Sequence, residues 1–195
     1  MVIISSSRMA KVFFVLVVFS ATCSACHDRI TVGHPKVDRI HEITELPIRS
    51  VNGETMDVSW ACGDELFWEI VAEGQEVIPY LIAKVKDITP TNIQIPCQDN
   101  SITEGVIAFM LLDEIVPIML MQVFSMQFDV FDLHCDFGYP ANFLDFVIAD
   151  QNYISNRLTS HLLQGQAKLE SNEIPLELRT ECQQAFGISH VYQLR

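Results

Sequence analysis

From Val106 to Leu112 every residue is apolar, and such a run has no polar face to offer water. A helix built from it has to be surrounded on all sides, by protein or by lipid. Lipid is a poor answer, because Asp113, Glu114 and Pro117 follow at once and an acid near a bilayer centre costs roughly 2.5 to 3.5 kcal/mol. The run is therefore expected to be a core helix. Ser101 and Glu104, three apart, predict its start as a capping box, in which each side chain satisfies an amide left free at the helix end.

A helix buried all round needs partners, and the flanking sequence offers amphipathic ones. Glu65, Glu69 and Glu73 fall four apart, opposite a stripe of Leu66, Phe67, Ile70 and Val71, and Gly74 closes the pattern. Ile78, Leu81, Ile82 and Val85 then recur at i, i+3, i+4 and i+7, with Pro79 tolerable in the first turn. The short connection between these two predicts an antiparallel pair. Beyond a loop marked by Gly138 and Pro140, "ANFLDFVIAD" and "NYISNRLTSHLL" predict further helices, with Gly165 weakening the end of the second. Pro175 predicts a last one, with Leu178, Cys182 and Phe186 in register and Gly187 as its stop. The segment from His27 to about Asp57 differs: it is polar and broken by Pro35 and Pro47. Within it, Asn52-Gly53 between "IRSV" and "ETMDV" signals a hairpin turn, hence a short β-ribbon or an arm. The expected fold class is mainly α, antiparallel helix pairs with a short N-terminal β-ribbon or arm. The expected division is a signal peptide over residues 1–25, an arm or hairpin over 26–57 and a helical domain over 58–195.

The signal peptide rests on Arg8 and Lys11, which precede "VFFVLVVFSAT". Between Lys11 and His27 lie 15 residues, fewer than the roughly 20 that cross a bilayer as a helix. Met9 offers a second start besides Met1. Ser24-Ala25-Cys26 resembles the end of a bacterial lipobox, which implies an acylated Cys26 as the mature N-terminus; ordinary cleavage after Ala25 or Ala21 is the alternative. Cys23 to His27 also spells C-x-x-C-H, the attachment pattern of c-type haem. Cutting before Cys26 removes Cys23, and a thioether pair cannot form on one thiol, so haem is set aside. Met110, Met119, Met121 and Met126, which would be the distal ligands, are read as core filler.

Removing Arg8 and Lys11 with the signal leaves 10 basic against 25 acidic side chains. No Lys or Arg stands between Lys86 and Arg157. Such a field repels phosphate backbones and excludes nucleic acid as a partner. It suits solubility at a cell surface, and any protein partner it attracts would be basic.

Export permits disulfides, and Cys62, Cys97, Cys135 and Cys182 allow three pairings. With the first two helices antiparallel, Cys62 before the first and Cys97 beyond the second lie at one end of the stack, which favours Cys62 with Cys97. That leaves Cys135 with Cys182, unless Cys182, on its apolar stripe, is a buried thiol. Asp129, Asp132, His134, Cys135 and Asp136 fall within eight residues, enough donors to suggest a metal site or a reactive thiol, with His161 as a companion. The spacing fits no zinc pattern, and acidic neighbours raise a thiol's pKa, so a disulfide role for Cys135 is preferred. An enzyme or metal binder centred on His134 and Cys135 is the alternative reading. The chain has no nucleotide loop, G-x-S-x-G elbow or H-E-x-x-H helix.

"EGQEVIPYLIAKVKD", followed after a loop by "ITEGVIAFMLLDEI", resembles the second helix of one HEAT repeat and the first helix of the next. The resemblance covers residues 64–116, with "TNIQIPCQDN" inserted between the repeats. It implies a HEAT-like core of stacked helix pairs that serves as an interaction surface, and it brings no catalytic residue and no cofactor. The expectation is an exported binding or structural protein of the bacterial cell envelope, in the periplasm or on the outer surface, held to the membrane by a lipid on Cys26.

Overall fold

The computed structural model describes residues 33–51, 58–94, 101–125, 143–164 and 169–194. Apart from Gly33 these belong to one unit, His34–Arg195; the predicted signal, Cys23, Cys26 and His27 lie outside the described residues. A 3-10 turn, Val37–Glu42, places Val37 and Ile40 in the core, and Ile43 and Leu46 follow them inward. Strands β1 (Ile48–Val51) and β2 (Val58–Ala61) pair antiparallel, Ile48 opposite Ala61 and Val51 opposite Val58. A short ribbon is therefore present, but its second strand is Val58–Ala61, starting at the last residue of the expected "ETMDV" and beyond the expected arm over 26–57; Asn52 and Gly53 lie outside the described residues. Asp64 closes its base, its carboxylate accepting from the N–H groups of Thr44 and Glu45 and from the Thr44 hydroxyl.

Helix α1 (Glu65–Ala72) buries Phe67, Trp68, Ile70 and Val71; of the expected stripe Leu66 is only half-buried, and Trp68 takes its place in the core. A single 3-10 turn, Gly74–Val77, leads into α2 (Ile78–Lys84), with Pro79 in the first turn as expected. Helix α3 (Glu104–Ile115) is the anticipated core helix, and every residue from Glu104 to Leu112 is buried. Its cap is Thr103, not Ser101: the Thr103 hydroxyl accepts the Val106 N–H at 3.3 Å. The reason is local. Thr91 and Ile93 exchange backbone hydrogen bonds with Ile102, and Pro90 bridges Thr103, so the chain stays extended until Glu104.

After α3 come α4 (Leu120–Phe124), α5 (Phe143–Ala149) and α6 (Gln151–Leu158), the last running into a wider π-type turn, Thr159–Leu163. Phe143 meets Phe109 at 5.2 Å and Phe124 meets Phe146 at 6.1 Å between ring centroids, tying these helices to α3. The C-terminal segment differs from expectation. Strands β3 (Leu169–Glu173) and β4 (His190–Leu194) form an unanticipated antiparallel hairpin around a 3-10 turn, Leu176–Leu178, and a short α7, Glu181–Ala185. The single helix expected from Pro175 is broken because Arg179 and Thr180 are extended; Thr180 and Gln183 then form a true capping box. Gly187, at φ +70°, stops α7 as predicted. The protein is mainly helical, with two small antiparallel strand pairs among the described residues.

The cysteine pairing is corrected. Cys62 bonds Cys182, with Cα atoms 5.3 Å apart across 120 residues of sequence, so neither Cys62–Cys97 nor Cys135–Cys182 forms. The expected pairing assumed that α1 and α2 lie mainly against each other. Both instead pack chiefly on α3, and the C-terminal segment supplies the thiol next to Cys62. Cys97 and Cys135 lie outside the described residues.

The start of α3 crosses the end of α2 so closely that it needs a glycine. A Cβ on Gly105 would fall 2.4 Å from the Val85 carbonyl oxygen and 2.7 Å from that of Asp87. Gly105→Ala should therefore destabilise the protein by about 2 to 3 kcal/mol, since neither backbone group can move without breaking helix ends. Urea unfolding followed by circular dichroism checks this; a loss below about 0.5 kcal/mol would contradict the close crossing.

Candidate functional site

Among the described residues, apolar side chains meet solvent in a concavity whose walls follow from how α3 and α4 end. Val116, held extended by the following Pro117, terminates α3. The Asp113 carboxylate accepts the Ile118 N–H at 2.7 Å and folds the loop back against the helix. Met119 then opens α4, which ends at Ser125 in a left-handed conformation, φ 56°. The last carbonyls of α4 are satisfied by α6. Arg157 Nε donates to the Val123 oxygen at 2.7 Å, and the Tyr153 hydroxyl donates to that of Phe124 at 3.2 Å. Asp150, capping α6 through the Tyr153 N–H, sets the register of both donors.

Between the loop, α4 and the π-type turn lies a groove of about 300 Å³. Its floor is Val116, Val123, Leu158 and Leu162; His161 and Gln122 stand at its sides, and Gln193 of β4 closes one wall. Met119, 61% exposed, lines it just before α4, and Met121, 65% exposed, follows within that short helix. This corrects the reading of the methionines as filler, which Met110 alone satisfies by being buried in α3. Met126 lies outside the described residues. The groove carries one imidazole and two amides but no carboxylate or ammonium among its lining residues. It can bury an apolar side chain and offer it hydrogen bonds at the edge; methionines there adapt to different shapes because their chains are unbranched and soft.

Acidic groups stand at the end of α3 and at a separate junction. Burial pushes the Glu114 carboxyl up to about 7, and the neighbouring Asp113 carboxylate pushes the same way. At the junction of α2 with α3, the Lys84 ammonium lies 2.7 Å from Asp87 and 2.6 Å from Glu104. Burial works against the charge on Asp87, yet Lys84 and the hydrogen bonds from Thr89 outweigh it and hold the carboxyl at about 2. Burial likewise opposes the charge on Lys84, and its two carboxylate partners raise its pKa regardless. Gln151 completes the junction, its Nε2 donating to the Thr103 hydroxyl at 2.9 Å and the Asp87 carbonyl at 3.2 Å. Each of these groups holds another part of the protein, which marks the junction as structural.

Of the residues singled out from sequence, the structure joins Cys62 to Cys182 and puts His161 on the groove wall. Cys26, Cys97, His134, Cys135 and the acids Asp129, Asp132 and Asp136 lie outside the described residues. Among the described residues no group of three or more His, Cys, Asp or Glu is placed to hold a metal ion, and no helix is long and apolar enough to cross a membrane. Sequence reading missed the groove because the Val116–Phe124 stretch alternates no clear face; only Pro117 signalled a break there. No family model, curated protein or solved structure matches the chain.

Glu114 yields a pH test. Its folded pKa, about 7, lies above the ordinary 4.5, so ionisation opposes folding: its favourable contribution is full below about pH 4.5 and lost above about pH 7. Glu114→Gln should therefore gain about 1 to 2 kcal/mol over the wild type near pH 8, allowing for partial solvent contact, and roughly nothing near pH 4. Urea midpoints across that range check it; equal midpoints at pH 8 would contradict the buried carboxyl.

Proposed function

We propose that this chain is an exported, lipid-anchored binding or structural protein of the bacterial cell envelope, which uses the groove beside α4 to hold an apolar segment of a basic protein partner. The observation that carries the binding part is exposed Met119 beside an apolar floor, with Met121 exposed two residues on. Large exposed apolar side chains around a concavity mark a contact surface more often than chance. The choice of a basic partner follows from the net charge of −13.

Export is supported by the Cys62–Cys182 disulfide, because such bonds persist in oxidising compartments. Anchoring is supported by Ser24-Ala25-Cys26 alone. A HEAT-like core is supported by the packing of α2 on α3, the two helices that the resemblance makes successive neighbours.

Two measurements test the proposal. Cys26→Ala should move the protein from the membrane fraction to the soluble fraction, and intact mass of the mature wild type should show acyl chains; a membrane-bound mutant beside an unacylated wild type sinks the anchor. In the native envelope, replacing Met119 and Met121 with Glu should abolish chemical crosslinking to the basic partner. Ile88→Glu, a change at an equally exposed apolar residue away from the groove, should leave it intact. Loss of crosslinking in both variants, or in neither, rejects the groove as the contact.

A further inference from the structure

Among the described residues, several polar groups of the segment Leu169–Leu194 bond to one another. Arg179 Nε donates to the Ile174 carbonyl at 2.8 Å, Thr180 and Gln183 cap each other, and Gln184 donates to the Arg179 carbonyl at 2.9 Å. The backbone closes on itself as well, Ile174 N–H to Ser189 and Ile188 N–H to Gln183. What faces the helical core is apolar. Ile188 and Cys182 are buried, Phe186 stacks on Trp68 at 5.9 Å and 11°, and Tyr192 lies over Gly74, where a Cβ would fall 2.6 Å from its hydroxyl. The Trp68 indole in turn donates to the Cys62 carbonyl at 2.6 Å, so the disulfide and the stacked rings form one joint.

We propose that residues 169–194 are a redox-released clasp, held on the helical core by Cys62–Cys182 and freed when that bond is reduced. A segment bonded chiefly to itself can leave as a unit without stranding polar groups in the core. The reductant is a dithiol. Its thiolate attacks the Cys62 sulfur, because Cys182 is wholly buried and Cys62 is not. Cys182 departs as a thiolate and takes a proton, and the second thiol of the reductant then displaces Cys62, which leaves as a thiol. Two electrons and two protons pass to the protein, and the reductant becomes a cyclic disulfide. Because Gln193 forms a wall of the groove, release of the clasp opens the groove on that side.

The clasp acts without a partner, so the purified full-length chain tests it independently of the envelope reading. Hydrogen exchange is compared before and after dithiothreitol. Amides of β3 and β4 should exchange about tenfold faster or more in the reduced protein, a clearly larger factor than for those of α3, which keeps α1, α2 and α5 around it. The Cys62→Ala/Cys182→Ala variant should show the same accelerated exchange with no reductant. Unchanged protection of β3 and β4 after thiol counting shows full reduction would overturn the clasp, as would equal acceleration in α3 or a disulfide that dithiothreitol leaves unreduced in the native protein.

Discussion

An α-helix with apolar side chains on every face is stable in water only within a shell of other elements, and α3 sets that demand for the whole protein. The shell is assembled from distant parts of the chain. The Val37–Glu42 turn, α1, α2, α5 and β4 all lie against α3. Burying such a helix also buries its first amides, which have no intrahelical acceptors. The chain just after α2 provides them: Thr89 accepts from Glu104 N–H at 2.9 Å and Asp87 from Gly105 N–H at 3.0 Å. That service requires a close approach, and the close approach requires a side chain no larger than that of Gly105.

The same crossing explains the placement of charge. Glu104 is nearly buried at the first turn of α3, where a carboxylate gains from the helix dipole but loses its water. Lys84 from the end of α2 answers it and pairs with Asp87 as well, so one ammonium serves the two helix ends that must meet. The depressed Asp87 carboxyl stabilises the fold above its ordinary pKa of 3.8, and this contribution fades as the pH falls toward 2. An acidic protein thus places one of its few cations at this junction.

At the other end of α3, the chain breaks before it has hidden all its apolar residues. Pro117 ends the helix, and α4 is only five residues long, Leu120–Phe124, so it turns Val123 and Phe124 inward and leaves Met119 and Met121 outside. The groove follows from that shortness. Its rigidity comes from α6, whose Arg157 and Tyr153 hold the end of α4 by its carbonyls.

Some of this was legible in the residues alone. Several features decided by neighbours in sequence were readable: the apolar run of α3, the four-residue spacing of Glu65, Glu69 and Glu73, Pro79 in a first turn, and Gly187 as a stop. Local hydrogen bonding and side-chain periodicity carry these, and both are written within a few residues. What depended on which surfaces meet was decided only by the tertiary structure. Cys62 found Cys182 instead of Cys97 because α1 and α2 serve α3 before each other. Thr103 replaced Ser101 as the cap because Thr91 and Ile93 hold the preceding residues extended. Leu169–Glu173 became a strand because His190–Leu194, some twenty residues later, returned beside it. In each case the deciding contact joins residues far apart in the chain, and no local preference carries the energy of a contact that forms only after the core has closed.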